Sequence, residues 1–384
     1  MRLRAALVLA VLTQSTATAR GESASPAISD VAVSPPFFNP SIGQNAALTY
    51  RIDKPARVTL SILDRDGYVI RKLAPVQQPA GAATLNWDGK DQTGSVVPNE
   101  AYSVNLVAEG PAGQSEYAPS RHFVSQLSDP PRSYAMVSGV LRYELGSPSR
   151  VHIQAGEAVL VGDPKEGKRD GPVMKTIVDR EPRSGGVVVE TWDGYDESRT
   201  VHIASLKNFA ISILGESLPP ATIIAVGNRA ESFRHYAARA RAGKTPLYPP
   251  SMRGREMPVM PGMKHDGLNA LEDFSPELTV TLAGKKDEQG RVEVGSGQIT
   301  LKVQMPPNEA GLFVRPEAGL DIFVDEKRVS HKKGAQNPTS ISIPASAIAG
   351  GEHRVTVNWI STHGPMSAQV VRVIREEPKK EAAT

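Results

Sequence analysis

Methionine and histidine side chains lie close together in one stretch of the sequence. Met257, Met260 and Met263 are three residues apart, and His265 follows two residues later. Thioether sulfurs and an imidazole are ligands that suit Cu(I), so residues of these types can form a copper site without cysteine. Methionine also fills irregular apolar gaps, so these residues could instead pack against a neighbouring domain. Because spacing alone does not show that the ligands converge, packing without any cofactor is favoured, and copper is the alternative.

Two short motifs offer carboxylates in pairs. Asp88 and Asp91 belong to one Trp-Asp-Gly-x-Asp motif, and Asp193 and Asp196 belong to a second. Carboxylates at this spacing could contribute to a Ca²⁺ site, but such a site needs several further oxygen ligands. Asp-Gly is also ordinary turn chemistry. The motifs therefore favour turns beneath buried tryptophans, with calcium as the alternative.

An arginine-rich stretch precedes the methionines. Residues 230–242 are rich in Ala and Arg and predict a short helix that ends at Gly243. Arginines on such a helix could dock on an acidic partner, although charged residues more often form a solvated face. We predict that this helix belongs to a docking segment. Its candidate partner-binding residues are Phe233, Arg234, Tyr236, Arg239 and Arg241.

The motifs of common enzyme classes are missing from the sequence. It has no G-x-S-x-G, no H-E-x-x-H, no phosphate-binding loop and no dinucleotide fingerprint. It also contains no cysteine, which excludes cysteine nucleophiles and thiolate metal sites. We predict that the protein is not an enzyme.

The elements that position these residues form an internal repeat. Residues 48–60 and 141–153 share Leu, Tyr, Pro, Arg and Val at the same spacing, and their apolar residues alternate as in half-buried strands. Each copy then reaches a Trp-Asp-Gly-x-Asp motif, and a further apolar strand follows it. Two matched landmarks in the same order indicate a repeated β-sandwich.

The first copy resembles the FlgD-type Ig-like domain, a family named from the flagellar hook-capping protein. The resemblance rests on Tyr50-Arg-Ile, on Lys54-Pro-Ala-Arg-Val58, on the turn at 64–67 and on the motif at 87–94. It implies a β-sandwich that serves as a C-terminal or spacer module in exported bacterial proteins, without implying a flagellar role. The second copy departs from the family where Arg199 stands in place of the usual Gly.

A third group of alternating strands lies towards the C-terminus. Five segments between residues 277 and 359 have a period of two and are separated by turn residues. Residues 321–329 and 349–357 resemble the closing half of bacterial Ig-like domains. The predicted fold class is therefore all-β, with tandem immunoglobulin-like or fibronectin-III-like β-sandwiches and a short helical and Pro-rich connector.

The predicted domain limits follow from these repeats and from composition. The first residues combine Arg2 and Arg4, a short apolar run and an Ala-x-Ala site, as in a secretory signal peptide. The predicted units are a signal peptide at 1–19, sandwiches at 26–128, 129–228 and 273–376, an Arg/Met/Pro-rich connector at 229–272 and a disordered tail at 377–384.

Charge and the export signal limit the function classes. Lys and Arg number 44 against 41 Asp and Glu, so no strong basic field favours nucleic acid. No segment after the signal is apolar enough to span a membrane. An exported chain without cysteine fits a bacterial periplasm or cell surface. We predict a non-catalytic structural or interaction protein that binds protein partners of a bacterial envelope or surface assembly. A copper-binding protein and a carbohydrate-binding accessory protein are the alternatives, and the oligomeric state is left open.

Overall fold

The fold is known from a computed structural model. It describes residues 24–121, 123, 127–128, 135–157, 159–160, 169–170, 173–248, 277–307, 318–360 and 367–376. Their regular secondary structure is almost all β-strand, and they contain one α-helix, α1 at Phe233–Ala240. The prediction of an all-β chain built from tandem β-sandwiches is confirmed. Short 3₁₀ turns occur at Pro40–Ile42, Pro119–Arg121, Ile203–Ser205 and Ala345–Ala347.

The first sandwich begins with nine strands. They are β1 Ile28–Ser34, β2 Phe37–Phe38, β3 Ala46–Ile52, β4 Ala56–Leu63, β5 Val69–Lys72, β6 Val76–Gln78, β7 Gly81–Trp87, β8 Glu100–Gly110 and β9 Gly113–Tyr117. One sheet has the order β1-β3-β7, and β4, β5 and β8 belong to the facing sheet. Leu48, Tyr50 and Ile52 alternate into the core along β3, as their period of two predicts.

The second sandwich follows the first nine strands in sequence. Its strands are β10 Leu127–Ser128, β11 Ala135–Val137, β12 Val140–Leu145, β13 Ser149–Glu157, β14 Val159–Leu160, β15 Arg169–Asp170, β16 Val173–Arg183, β17 Gly186–Thr191 and β18 Phe209–Ser217. They form sheets of order β11-β12-β17 and β10-β18-β13-β16, and β14 pairs with β15. Tyr143 pairs with Val188 in β17 as Tyr50 pairs with Ala83 in β7. Strand β17 therefore occupies the place in its sheet that β7 occupies in the first sandwich.

The chain then returns to the first sandwich. Strand β19, Ile223–Ala225, pairs antiparallel with β8 and parallel with β2, which gives the order β2-β19-β8-β4-β5. All three residues of β19 are buried. The second sandwich is thus inserted in sequence between two parts of the first, whose sheet includes β19.

The third sandwich contains the remaining strands. They are β20 Thr279–Leu282, β21 Val292–Glu293, β22 Ile299–Gln304, β23 Gly319–Val324, β24 Lys327–Lys333, β25 Thr339–Ile343, β26 Gly351–Ile360 and β27 Ser367–Arg375. One sheet has the order β20-β22-β25, and the other has the order β21-β27-β26-β23-β24. Its core forms around the fully buried Trp359, Leu320 and Ile322.

A buried ion pair joins the first two sandwiches. Glu100 at the start of β8 is fully buried and lies 2.6 Å from Arg65 Nη2. Arg150 of β13 contacts the other oxygen of Glu100 and donates to the Ala101 carbonyl at 3.2 Å. Two guanidinium groups therefore neutralise one buried carboxylate, and one of them comes from the neighbouring sandwich.

An apolar cluster joins the second sandwich to the third. Phe323 of β23 and Ile360 of β26 point away from their own core and pack with Trp192, Val201 and Ile203 of the second sandwich. These side chains are between 0% and 7% exposed. Thr200 and Thr356 share a hydrogen bond of 2.6 Å across the same joint. Burial of large apolar side chains stabilises this contact.

Several predicted units extend beyond the described residues. The signal peptide at 1–19, the tail at 377–384 and residues 249–272 of the connector lie outside them. The described residues of the connector, 229–248, pack against the first sandwich. In the described part of the chain, no helix is long and apolar enough to cross a membrane. The predicted domain limits stay a prediction.

Candidate docking site on the first sandwich

The end of helix α1 packs beside a tight turn that follows β4. Asp64 Oδ1 accepts hydrogen bonds from the backbone N–H groups of Asp66 and Tyr68, at 2.9 and 3.0 Å. Gly67 adopts a φ of 80°, a left-handed conformation that glycine adopts at little cost. The turn leaves Asp64 Oδ2 free to accept a further donor beside the end of α1.

The Trp-Asp-Gly-x-Asp motif of the first sandwich forms a second turn of the same kind. Asp91 Oδ1 accepts from the backbone N–H groups of Thr93 and Ser95, at 2.9 and 3.0 Å. Trp87 lies in the core beneath the turn, and its indole N–H donates to the Lys90 carbonyl at 2.9 Å. Backbone donors occupy the carboxylate oxygen, which supports the turn interpretation of this motif.

The second sandwich repeats this geometry around its own landmark. Asp196 Oδ1 accepts from the N–H groups of Thr200 and Val201, and Trp192 donates to the Tyr195 carbonyl at 2.9 Å. Arg199 adopts a φ of 60° where the first sandwich has Gly94 with a φ of 86°. Among the described residues, no group of three His, Cys, Asp or Glu side chains is placed to hold a metal ion.

Helix α1 packs on the first sandwich through its apolar face. Ser232 caps its first turn by accepting from the His235 N–H at 3.3 Å. Phe233, Tyr236 and Ala237 are three or four residues apart and belong to the core cluster of the first sandwich. Phe233 is 8% exposed, and Tyr236 is fully buried. These two predicted partner-binding residues therefore contact their own chain.

The arginines at the end of the helix bind the turns beneath it. Arg241 donates from Nε to Asp64 Oδ2 at 2.8 Å and from Nη2 to Asp66 Oδ2 at 2.5 Å. Its guanidinium also lies over the Tyr68 ring, 4.7 Å from the centroid. Arg239 pairs with Glu231 at 2.9 Å, and its side chain remains 47% exposed. Arg241 therefore fixes the helix, whereas nearly half of the Arg239 side chain is exposed to solvent.

Burial affects the pKa of the Asp64 carboxyl more strongly than its charged and hydrogen-bonding partners do. Its side chain is 1% exposed, and burial raises its pKa above the ordinary value. The Arg241 guanidinium acts in the opposite direction without reversing the shift. Arg241 is therefore the partner that most favours the charged form of Asp64.

The chain after the helix is also bound to the first sandwich. The Leu247 N–H donates to the Gly67 carbonyl at 2.8 Å. The Tyr248 hydroxyl donates to Glu116 Oε1 at 2.9 Å, and Asn105 Nδ2 donates to the same hydroxyl. The described part of the connector therefore runs along the first sandwich up to Tyr248.

Sequence patterns found part of this site. The apolar face of α1 was recognisable from the spacing of Phe233 and Ala237. Asp64, Asp66 and Tyr248 escaped prediction because they are remote in sequence from the helix, and an Asp-x-Asp-Gly turn gives no indication of its partner. The side chain of Arg234 and the metal candidates Met257, Met260, Met263 and His265 lie outside what the structure describes.

Comparison with known proteins identifies the module that carries this site. Residues 39–111 match the FlgD Ig-like domain family. The chain is similar to the basal-body rod modification protein FlgD of Salmonella typhimurium, with 33% identity over 97 residues, which cover 25% of this chain and 37% of that protein. The FlgD protein of Escherichia coli K12 is 31% identical over 91 residues, or 24% and 34% of the two chains. The first sandwich therefore contains a FlgD Ig-like domain. The similarity spans little more than a third of each relative.

Solved structures give weaker likenesses. A structure of a bacterial ice-binding adhesin, described for its retention at the host cell surface, aligns with 92% of this chain and 99% of its own. Its sequence identity is 9% and its TM-score is 0.19. A score at that level carries no argument about function.

Proposed function

We propose that the protein is a non-catalytic structural and interaction component of an exported bacterial envelope or surface assembly. The observation that carries this proposal is the pair of joints on either side of the second sandwich. An ion pair around Glu100 ties it to the first sandwich, and the Phe323–Trp192 cluster ties it to the third. Buried contacts of this kind between domains favour a spacer with a fixed arrangement of its domains over one with flexibly linked domains.

We also propose that the second sandwich is a diverged copy of the FlgD-type module. Its support is the shared strand arrangement and the repeated landmark, in which Trp192 and Asp196 make the backbone contacts that Trp87 and Asp91 make. The third sandwich is proposed as a further Ig-like domain on its two facing sheets.

The absence of catalysis is part of the proposal. Asp64 and Asp321 are buried carboxyl groups with raised pKa values, and both are bound by arginines that join separate elements of the chain. Shifted pKa values often mark catalytic groups, but structural ion-pair networks shift them as well. The position of these pairs, beneath α1 and at a joint, favours the structural role.

Partner binding is proposed for the exposed side of α1, with Arg239 as its most accessible described arginine. Removing residues 229–272 is a poor test, because it would also remove Phe233 and Tyr236 from the core of the first sandwich. Instead, the purified protein and its Arg239→Glu variant should be used to capture partners from an envelope extract. We expect one or more captured proteins to be lost with Arg239→Glu and retained with Arg51→Glu, a control at another exposed arginine. Identical capture by all three proteins would refute this docking site.

The alternatives keep their own tests. A Met257/Met260/Met263→Leu variant that takes up as much Cu(I) as the wild-type protein would remove the copper proposal. A carbohydrate-binding surface requires exposed aromatic rings, whereas Trp87, Trp192 and Trp359 are all buried. Burial of all three tryptophans therefore argues against a carbohydrate platform built on tryptophan.

A further inference from the structure

Four exposed valines lie on one face of the second sandwich. They lie on the outer face of the sheet β11-β12-β17, and their exposed fractions are 68% for Val137, 41% for Val140, 54% for Val187 and 53% for Val189. Val137 and Val140 are directly paired across their strands. Several exposed apolar residues on one face of a domain are a common mark of an interaction site.

The sandwich fold does not require these valines. Strand β7 holds the same place in the first sandwich as β17 does in the second, and its outward positions are Ala82 and Thr84. Val187 and Val189 replace them in β17. The first sandwich thus forms the same sheet with small or polar outward residues, so the fold alone does not call for valine at these two positions.

The free edge of β17 is also unprotected. Among the residues that the structure describes, this strand pairs with β12 alone, and its outward residues Val187, Val189 and Thr191 carry no charge. By contrast, the edge strand β24 of the third sandwich carries three lysines, at positions 327, 332 and 333. Lysines on edge strands normally prevent pairing with another chain. An edge with valines in their place is open to an added strand.

We propose that β17 pairs with β17 of a second copy of this chain, antiparallel and about a twofold axis at Val188. With the axis at Val188, Val187 would lie opposite Val189 of the second copy, and Val188 would lie opposite Val188. Directly opposed residues on antiparallel strands point to the same face of the sheet. The two three-stranded sheets would join into one sheet of six strands. Val187 and Val189 of both copies would form one apolar stripe at its centre.

Other twofold registers are less favourable. An axis at Glu190 would place two glutamates directly opposite each other, which destabilises a sheet. An axis at Val189 would place Glu190 opposite Val188 of the second copy. An axis at Val188 matches valine with valine on both faces, and it leaves Glu190 opposite Gly186.

Charges on either side of the valines favour a second copy over an unrelated strand. Arg142 is paired with Val189, and Glu144 is paired with Val187. With the axis at Val188, each row across the joined sheet reads Arg142, Val189, Val187 of the second copy and Glu144 of the second copy. Three strand spacings separate the two charged residues by about 14 Å between Cα atoms, and both side chains can extend over the valines towards each other. The arginine at one end of each row therefore faces the glutamate of the second copy at the other end.

The proposal goes beyond the partner binding inferred above, because it needs no envelope component. Its first test is sedimentation velocity of the purified protein over a wide concentration range. We expect a reversible dimer, which Val187→Lys/Val189→Lys abolishes because it places lysines at the centre of the pairing. Thr84→Lys, at the equivalent edge of the first sandwich, should leave the dimer unchanged. A wild-type protein that stays monomeric throughout, or a dimer that survives the double substitution, overturns the proposal. Melting curves of both variants confirm that they remain folded.

The register can be tested because the chain has no cysteine of its own. Single Val187→Cys and Val189→Cys variants should form a disulfide when mixed, since opposed residues lie about 4.5–5.5 Å apart between Cα atoms. Either variant alone should crosslink poorly, because its own cysteines would be diagonal neighbours about 7–8 Å apart. Efficient crosslinking of a single variant, with none in the mixture, would overturn the pairing at Val188.

Charge reversal gives an independent test. Arg142→Glu should weaken the dimer several-fold, most clearly at low salt, because like charges then meet at both ends of each row. Arg142→Glu/Glu144→Arg restores opposite charges and should recover most of the association. A double variant as weak as the single one would contradict the arrangement.

Discussion

Arg328 of the third sandwich lies 2.5 Å from the Glu157 carboxylate of the second, measured from Nη2 to Oε2. The same nitrogen lies 2.9 Å from Asp321 Oδ2 of its own sandwich. The Asp321 side chain is 1% exposed, and that of Glu157 is 12% exposed. One guanidinium thus serves a carboxylate from each side of the joint, and the joint depends on charge pairing as well as on apolar contact.

Replacing Arg328 by alanine should loosen this joint. The substitution leaves Asp321 buried without its main cation, and we expect a loss of about 2–3 kcal/mol in the free energy of unfolding. Chemical denaturation at pH 7 measures that loss. Arg372→Ala is the control, since Arg372 pairs with Glu352 on the surface and its loss should cost less than about 1 kcal/mol. Equal effects of the two substitutions would show that the joint does not depend on Arg328.

The cost of Arg328→Ala should also vary with pH. Burial raises the pKa of Asp321 above its ordinary value of 3.8, and Arg328 opposes that rise. A carboxyl with a raised pKa binds its proton more tightly in the folded protein, so stability falls as the pH rises from 3.8 through the raised pKa. Without Arg328 the pKa rises further, so the deficit of the variant should be largest near neutral pH and should shrink on acidification. Melting temperatures of both proteins at several pH values test this, and a constant deficit would contradict it.

Phe323 and Ile322 are sequence neighbours that point to opposite faces of β23. Ile322 belongs to the core of the third sandwich, whereas Phe323 belongs to the joint with the second. Phe323→Ser should therefore separate the two sandwiches while the third stays folded, and Ile322→Ala should cost about 2–5 kcal/mol within the third sandwich itself. Small-angle scattering and near-ultraviolet circular dichroism distinguish the outcomes. Loss of the Trp359 signal in Phe323→Ser would show that Phe323 supports the core instead.

Arg241→Ala should destabilise the first sandwich. It leaves Asp64 buried without its cation and frees the end of α1, so we expect a loss of about 3 kcal/mol. Arg51→Ala removes an exposed pair with Asp30 and should change stability by less than about 1 kcal/mol. Because each sandwich contains one of the three tryptophans, fluorescence of Trp87 follows this unfolding when the other two are replaced by phenylalanine. A similar midpoint for the two alanine variants would contradict the role given to Arg241.

The landmark turns offer a reciprocal experiment. Arg199 has a φ of 60°, which costs an ordinary residue about 1 kcal/mol or more, and its side chain is 78% exposed beside Asp193. Arg199→Gly should stabilise the second sandwich by about 0.5–1 kcal/mol, since the exposed ion pair that it removes contributes little. Gly94→Arg at the equivalent turn of the first sandwich should destabilise by about 1 kcal/mol. Changes of the same sign in the two denaturation experiments would exclude backbone strain as the cause.

Local patterns predicted the strands but not the joints. Leu48, Tyr50 and Ile52 alternate in the sequence, and they alternate in burial. Strand β19 has only three residues and no alternation, so nothing local indicated that Ile223–Ala225 would pair with β8. Strand β19 pairs with a strand from which the whole second sandwich separates it in sequence.

One joint did leave a signal in the sequence. Every residue of β23 is buried, so both faces of this strand are covered. The run Ile322-Phe323-Val324 breaks the alternation expected of a strand with one face in water. The aspartates of the site could not be interpreted in this way, because Asp64 and Asp91 have the same local turn chemistry whether or not an arginine lies above them.

The insertion of the second sandwich into the first constrains the order of folding. Strand β8 can pair with β19 only after the whole second sandwich has been synthesised. Helix α1 and the chain up to Tyr248 must follow before the core of the first sandwich is complete. The second sandwich contains all of its own strands and can form earlier. During synthesis the first sandwich would therefore remain incomplete, with one edge of its sheet uncovered. That interval is when this chain most needs protection from aggregation.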